Sequence, residues 1–114
     1  MDILNIIFAL ASIALGCFGW LAPRYTMGVV DLHPGSTPMG PSEIRAASGA
    51  LFVGMGTGAL LLSSPAAYAM LGFCWLGAGI GRATSLLLDG QTAKKWAFFA
   101  IEAGIGVTAL LFNL

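Results

Sequence analysis

Long apolar runs interrupted by short polar breaks set the character of this chain. Four runs, Ile3–Ala22, Glu43–Ser63, Ala66–Leu88 and Ala93–Leu114, are each long enough to span a membrane. A helix rising about 1.5 Å per residue needs about 20 residues to cross a hydrocarbon core of roughly 30 Å. The breaks carry turn chemistry. Residues 23–42 hold four of the five prolines and the only histidine, His33, and are expected to form a loop. Pro41-Ser42-Glu43 then opens the second helix, with Ser42 as N-cap and Glu43 in the first turn. Ser63-Ser64-Pro65 and Asp89-Gly90-Gln91-Thr92 are tight turns. The pattern predicts an all-α integral membrane bundle. Residues 1–114 form one domain of four transmembrane helices, with antiparallel up-down connectivity and one longer loop between helices one and two.

Composition strengthens the membrane assignment. Hydrophobic residues make up 58% of the 114 and charged residues only 9%, with mean hydropathy +0.89, against about 25% charged in an ordinary soluble domain. Five basic and five acidic side chains cancel, which leaves no basic surface for nucleic acid. Membrane lipids are the expected surroundings. Arg24, Arg45, Lys94 and Lys95 gather at the first and third connections, whereas the second has no basic residue and the amino terminus has only Asp2. The positive-inside rule then puts both termini outside the cytoplasm. Ala14-Leu15-Gly16-Cys17 resembles a lipoprotein cleavage box, but Met1-Asp2 supplies no basic n-region, so the first run is expected to stay as a helix.

Charges inside the apolar runs are the exceptions that call for an explanation. Arg82 and Glu102 each lie well within a predicted span, where a charge at mid-bilayer depth costs roughly 2.5 to 3.5 kcal/mol. Arg82 precedes Asp89 by seven residues and Glu102 follows Lys94 by eight, so both lie roughly 11 to 12 Å from the same membrane face. Consecutive antiparallel helices bring them level, and an ion pair is expected. Ser85 and Asp89 continue the Arg82 stripe at helical spacing, and Glu43 and Arg45 stand at the mouth of helix two. These six form the expected polar cluster. It either fixes helix register or has a function, binding the polar head of an amphiphile or passing a proton.

Glycine supplies the expected packing. Gly54 and Gly58 in helix two, and Gly77 and Gly81 in helix three, have the small-xxx-small spacing that lets helix backbones approach. The contact is expected between these helices or in a homo-oligomer. Gly54-Met55-Gly56-Thr57-Gly58-Ala59-Leu60-Leu61 also parallels Gly104-Ile105-Gly106-Val107-Thr108-Ala109-Leu110-Leu111, a weak internal echo that suggests a duplicated helix pair.

No catalytic signal accompanies these features. Cys17 and Cys74 sit in apolar stretches without a CxxC pair, and Asp31 with His33 are too few ligands for a metal. The serines lack a GxSxG elbow, and the glycine runs lack the strand and lysine of a phosphate loop. Neither a cofactor nor a metal is implied.

Glu43-Ile44-Arg45-Ala46, Gly81-Arg82-Ala83-Thr84-Ser85 with Asp89-Gly90, and Glu102 occur in this order over about two-thirds of the chain. In these motifs it resembles a family of small bacterial four-helix membrane proteins of unknown function, loosely similar to DoxX-like proteins. The resemblance implies a bundle in the bacterial inner membrane and groups Glu43, Arg45, Arg82, Asp89 and Glu102 as one site. Some DoxX-like proteins are subunits associated with quinol- or thiosulfate-linked respiratory enzymes. The expected function is non-enzymatic: an intramembrane Arg/Glu site for a lipid- or quinone-like amphiphile. An accessory or assembly subunit of a larger membrane complex and a small or proton-coupled transporter are the alternatives.

Overall fold

A computed structural model describes residues 3–114, which form helices joined by turns and one loop, with no strand among them. Asp2, and with it the expected acidic amino terminus, lies outside the described residues. In chain order the helices are α1 (Ile3–Leu21), α2 (Pro23–Val29), α3 (Met39–Arg45), α4 (Leu51–Leu62), α5 (Pro65–Leu88) and α6 (Ala93–Asn113). A π-helical turn at Ala46–Ala50 joins α3 to α4, so Met39–Leu62 is one continuous helix. Four helices, α1, Met39–Leu62, α5 and α6, are long and apolar enough to cross a membrane, which marks a multi-pass membrane protein. Large aliphatic side chains such as Leu61, Leu87 and Leu111 are exposed on them. Lipid suits such a surface and water does not.

Residues 23–42 are more ordered than their proline content suggests. Pro23 occupies the first turn of α2, where its missing N–H is no loss, and the Thr26 hydroxyl donates to the Ala22 carbonyl at 3.0 Å. The chain then turns at Asp31, in the left-handed region with φ 61°. The second span starts at Met39 instead of Glu43. Pro41 falls in its first turn, where backbone N–H groups have no intrahelical acceptor in any case. Buried Pro23, Met27, Pro41 and Ile44 pack α2 onto α3. The true loop is therefore confined to residues 30–38.

The tight turns follow their sequence chemistry. Ser64 caps α5 by accepting from the Ala67 N–H at 3.2 Å, with Pro65 in the first turn. Thr92 caps α6 by accepting from the Lys95 N–H at 3.1 Å. Gly90 takes φ +96°, which favours glycine.

The chain divides into two compact units: Ile6–Leu61, and Leu62–Leu114 with the first residues of α1 up to Asn5. Within Ile6–Leu61, α1 meets the second span through backbone. A Cβ on Gly19 would strike the Ser48 carbonyl, one on Gly49 the Trp20 backbone, and one on Gly56 the Ala9 carbonyl. Within Leu62–Leu114, a Cβ on Gly106 would strike the Leu76 backbone, one on Gly72 would lie 2.9 Å from the Ala109 Cβ, and one on Gly79 would lie 3.2 Å from the Ala103 N.

The glycine expectation is not met within the chain, which leaves a contact between copies as its remaining form. Gly54, Gly58, Gly77 and Gly81 have nothing within 4 Å where a Cβ would stand. The close approach belongs to their neighbours Gly56 and Gly79. Residues two apart on a helix point about 200° apart, so a run of alternating glycines contains two small faces and spacing alone does not choose between them.

Both units repeat one contact pattern. Gly56 and Gly106, Ala59 and Ala109, and Arg45 and Lys95 are each 50 residues apart. Gly16 and Gly79, and Ala9 and Gly72, are each 63 apart. Gly56 and Ala59 are buried on the second span as Gly106 and Ala109 are on α6. The echo in the sequence is therefore also an echo in burial and contact.

Candidate functional site

Arg82 reaches from the last third of α5 and Glu102 from the first half of α6. They pair side by side: Nε donates to Oε1 at 3.0 Å and Nη2 to Oε2 at 2.9 Å. Two parallel N–H···O bonds match the guanidinium fork to the carboxylate edge. Phe98, one turn before Glu102, lies under the guanidinium with its ring centroid 5.3 Å from Cζ, at cation–π distance. The carboxylate is the better enclosed, with its side chain 12% exposed against 32% for Arg82.

Gly79 explains how α5 and α6 come close enough. One turn before Arg82, it lets the Ala103 backbone approach next to Glu102. A larger residue at 79 would push the helices apart at the level where the fork must reach.

Below the pair, Lys95 closes the C-terminal end of α5. Its Nζ donates to the Gly90 carbonyl at 2.8 Å and to the Ser85 carbonyl at 3.5 Å. A cation suits the carbonyl end of a helix. Ser85 contributes its carbonyl oxygen here, which also accepts the Asp89 N–H at 2.8 Å. Asp89 itself is exposed. Of the four expected members on α5 and α6, Arg82 and Glu102 bond through their side chains, whereas Ser85 and Asp89 form the helix end.

Glu43 and Arg45 belong to the other unit. Glu43 is exposed, and Arg45 Nη1 donates to the Trp20 carbonyl at 2.7 Å. Pro23 has no N–H and interrupts the helix after Leu21, so carbonyls at the end of α1 are left for other donors. Arg45 caps α1 much as Lys95, 50 residues later, caps α5.

One polar contact has no counterpart in the sequence reading. The chain's two asparagines, Asn5 and Asn113, exchange amide hydrogen bonds at 2.9 and 2.7 Å. Lone carboxamides near the outer ends of the first and last apolar runs were the available signal. His33 is exposed, and both cysteines are free. Among the described residues no group of three or more His, Cys, Asp or Glu is placed to hold a metal.

These features define a multi-pass α-helical membrane protein with a forked ion pair set between two of its long apolar helices. The chain belongs to the family described as Domain of unknown function (DUF4345), whose model matches residues 1–113. No curated protein and no solved structure matches it.

Proposed function

We propose that the Arg82–Glu102 pair binds the polar head of a lipid- or quinone-like amphiphile, and that the protein acts without catalysis. The observation that carries this reading is the unused side of the guanidinium. Glu102 takes Nε and one Nη2 proton, and among the described residues Nη1 has no hydrogen-bond partner. Unpaired N–H donors within a membrane-crossing helix are costly, so an acceptor from outside the pair is favoured. Phe98 supplies an apolar wall beside it. Glu102 neutralises the arginine, so the head can be uncharged as well as anionic.

The setting proposed is a bacterial inner membrane. Its spans run antiparallel and both termini lie outside, in keeping with the basic residues Arg24, Arg45, Lys94 and Lys95 and with the loosely DoxX-like motifs. Native mass spectrometry of protein extracted gently from its own membranes tests the reading. A lipid or quinone that accompanies the wild type and is lost from Arg82→Ala, while Glu102→Gln retains part of it, supports the binding role. Ligand-free protein held with larger partners would favour an accessory subunit instead. Proton or solute movement by the protein in liposomes would favour a carrier.

A further inference from the structure

We propose that Tyr68, beside the Asn5–Asn113 pair, forms a second, uncharged head-group site that takes a carbonyl oxygen carried on an apolar tail. The inference does not depend on what Arg82 binds. Tyr68 is only 2% exposed, and its hydroxyl is buried with no hydrogen-bond partner among the described residues. Tyrosine at a membrane boundary usually places its ring at the surface and its hydroxyl in water. This one does neither.

Tyr68 lines a pocket of about 260 Å³ together with Asn5, Ser63, Ser64, Phe112 and Asn113. A water molecule takes about 30 Å³, so the space suits a head group as well as solvent. No charged side chain lines it, and an ion there would lose its hydration without a counter-charge. The occupant is neutral.

The hydrogen-bond inventory gives its polarity. Asn5 Nδ2 donates to Asn113 Oδ1, and Asn113 Nδ2 donates both to Asn5 Oδ1 and to the Ala109 carbonyl at 2.7 Å. Both Asn113 amide protons are thereby used. The hydroxyls of Tyr68, Ser63 and Ser64 have no acceptor among the described residues, and of the three only Tyr68 is buried away from solvent, so the incoming group must supply it an acceptor. Tyr68 lies four residues inside the Ser64 cap, about 6 Å along the helix. That depth is near the edge of the hydrocarbon core, where ester carbonyls of phospholipids and ring carbonyls of quinones can both reach.

The repeat provides a separate argument. Asn5 and Tyr68 are 63 residues apart and Ser63 and Asn113 are 50 apart, the same offsets that relate the packing positions of the two helix pairs. The pocket therefore collects equivalent positions from both copies. Polar side chains occupy all four.

Raman spectroscopy tests this, because the intensity ratio of the tyrosine ring doublet reports whether the hydroxyl donates, accepts or stands free. The chain has two tyrosines, and Tyr25 is exposed, so Tyr25→Phe protein leaves Tyr68 as the sole reporter. It is placed in vesicles of dioleoylphosphatidylcholine, of the di-ether analogue, and of the di-ether lipid with decylubiquinone. We expect a donating Tyr68 in ester vesicles, in quinone-loaded ether vesicles or in both, and none in ether lipid alone. The pattern names the source of the carbonyl. A donor signal in ether lipid alone, or none in any vesicle, overturns the proposal. In a Tyr25→Phe, Tyr68→Phe protein the doublet must vanish.

Discussion

Arg82 and Glu102 are joined by two hydrogen bonds of 3.0 and 2.9 Å across 20 residues of sequence, and the Phe98 ring lies beneath the arginine. The carboxylate is nearly enclosed and the guanidinium is about one-third open. Loss of the arginine therefore leaves the more costly orphan. Removing one member of a fully buried pair costs roughly 3 to 5 kcal/mol; with Arg82 partly open, we expect about 2 to 3 kcal/mol for Arg82→Ala. Glu102→Gln, which keeps an acceptor oxygen, should lose less. Reversible unfolding in detergent mixtures gives both values. The reversed pair, Arg82→Glu with Glu102→Arg, should recover at least half of the loss from Arg82→Glu alone, and a reversal no more stable than that single variant would show that the two charges do not act together.

Glycine substitutions should separate into two groups. Gly49→Ala and Gly106→Ala place a methyl against backbone that cannot move aside, and we expect about 1 to 3 kcal/mol of destabilisation for each. Gly54→Ala and Gly77→Ala meet open space and should gain up to about 1 kcal/mol from helix propensity. Thermal melting of the four variants in one lipid system distinguishes these outcomes by sign.

Arg45 and Lys95 should behave as equivalent caps. Each donates to carbonyls at the end of a preceding helix, and their heads are accessible, so each alanine variant should cost only about 0.5 to 1.5 kcal/mol. Hydrogen exchange is expected to rise locally, near Trp20 in one variant and near Ser85 in the other. An equal rise along the whole chain would contradict a capping role.

For the asparagines, a double-mutant cycle isolates the pair. Asn5→Ala and Asn113→Ala should each destabilise, with a coupling near the roughly 0.6 kcal/mol average measured for polar contacts between membrane helices. A coupling of zero would mean that the amide exchange adds nothing to folding.

Much of this structure is legible in the sequence because the membrane makes demands that simple counting can meet. The limits of α1, α5 and α6 follow from run length and from turn residues at Ser64, Pro65, Gly90 and Thr92. Arg82 and Glu102 declare themselves because charges in apolar helices need partners, and equal depth names the partner. Other features depend on rotation and close approach, to which spacing is blind. Proline at 23 and 41 suggests a loop, yet each occupies a helical first turn that needs no N–H there. Gly56 and Gly79 share their runs with outward-facing glycines. The π turn at Ala46–Ala50 is made of small residues like those around it, and Tyr68 resembles an ordinary boundary tyrosine until its burial is known.

The repeated contact pattern has a consequence for stoichiometry. By the offsets that relate the two helix pairs, Gly19 stands where the second pair has Arg82, and Phe52 where it has Glu102. Gly19 lies against the Ser48 backbone, so the first pair closes this position where the second opens it for a guanidinium. A ligand that needs the arginine has one address per chain despite the doubled architecture. The first helix pair is then an internal control, sharing the packing of the second and lacking its charges.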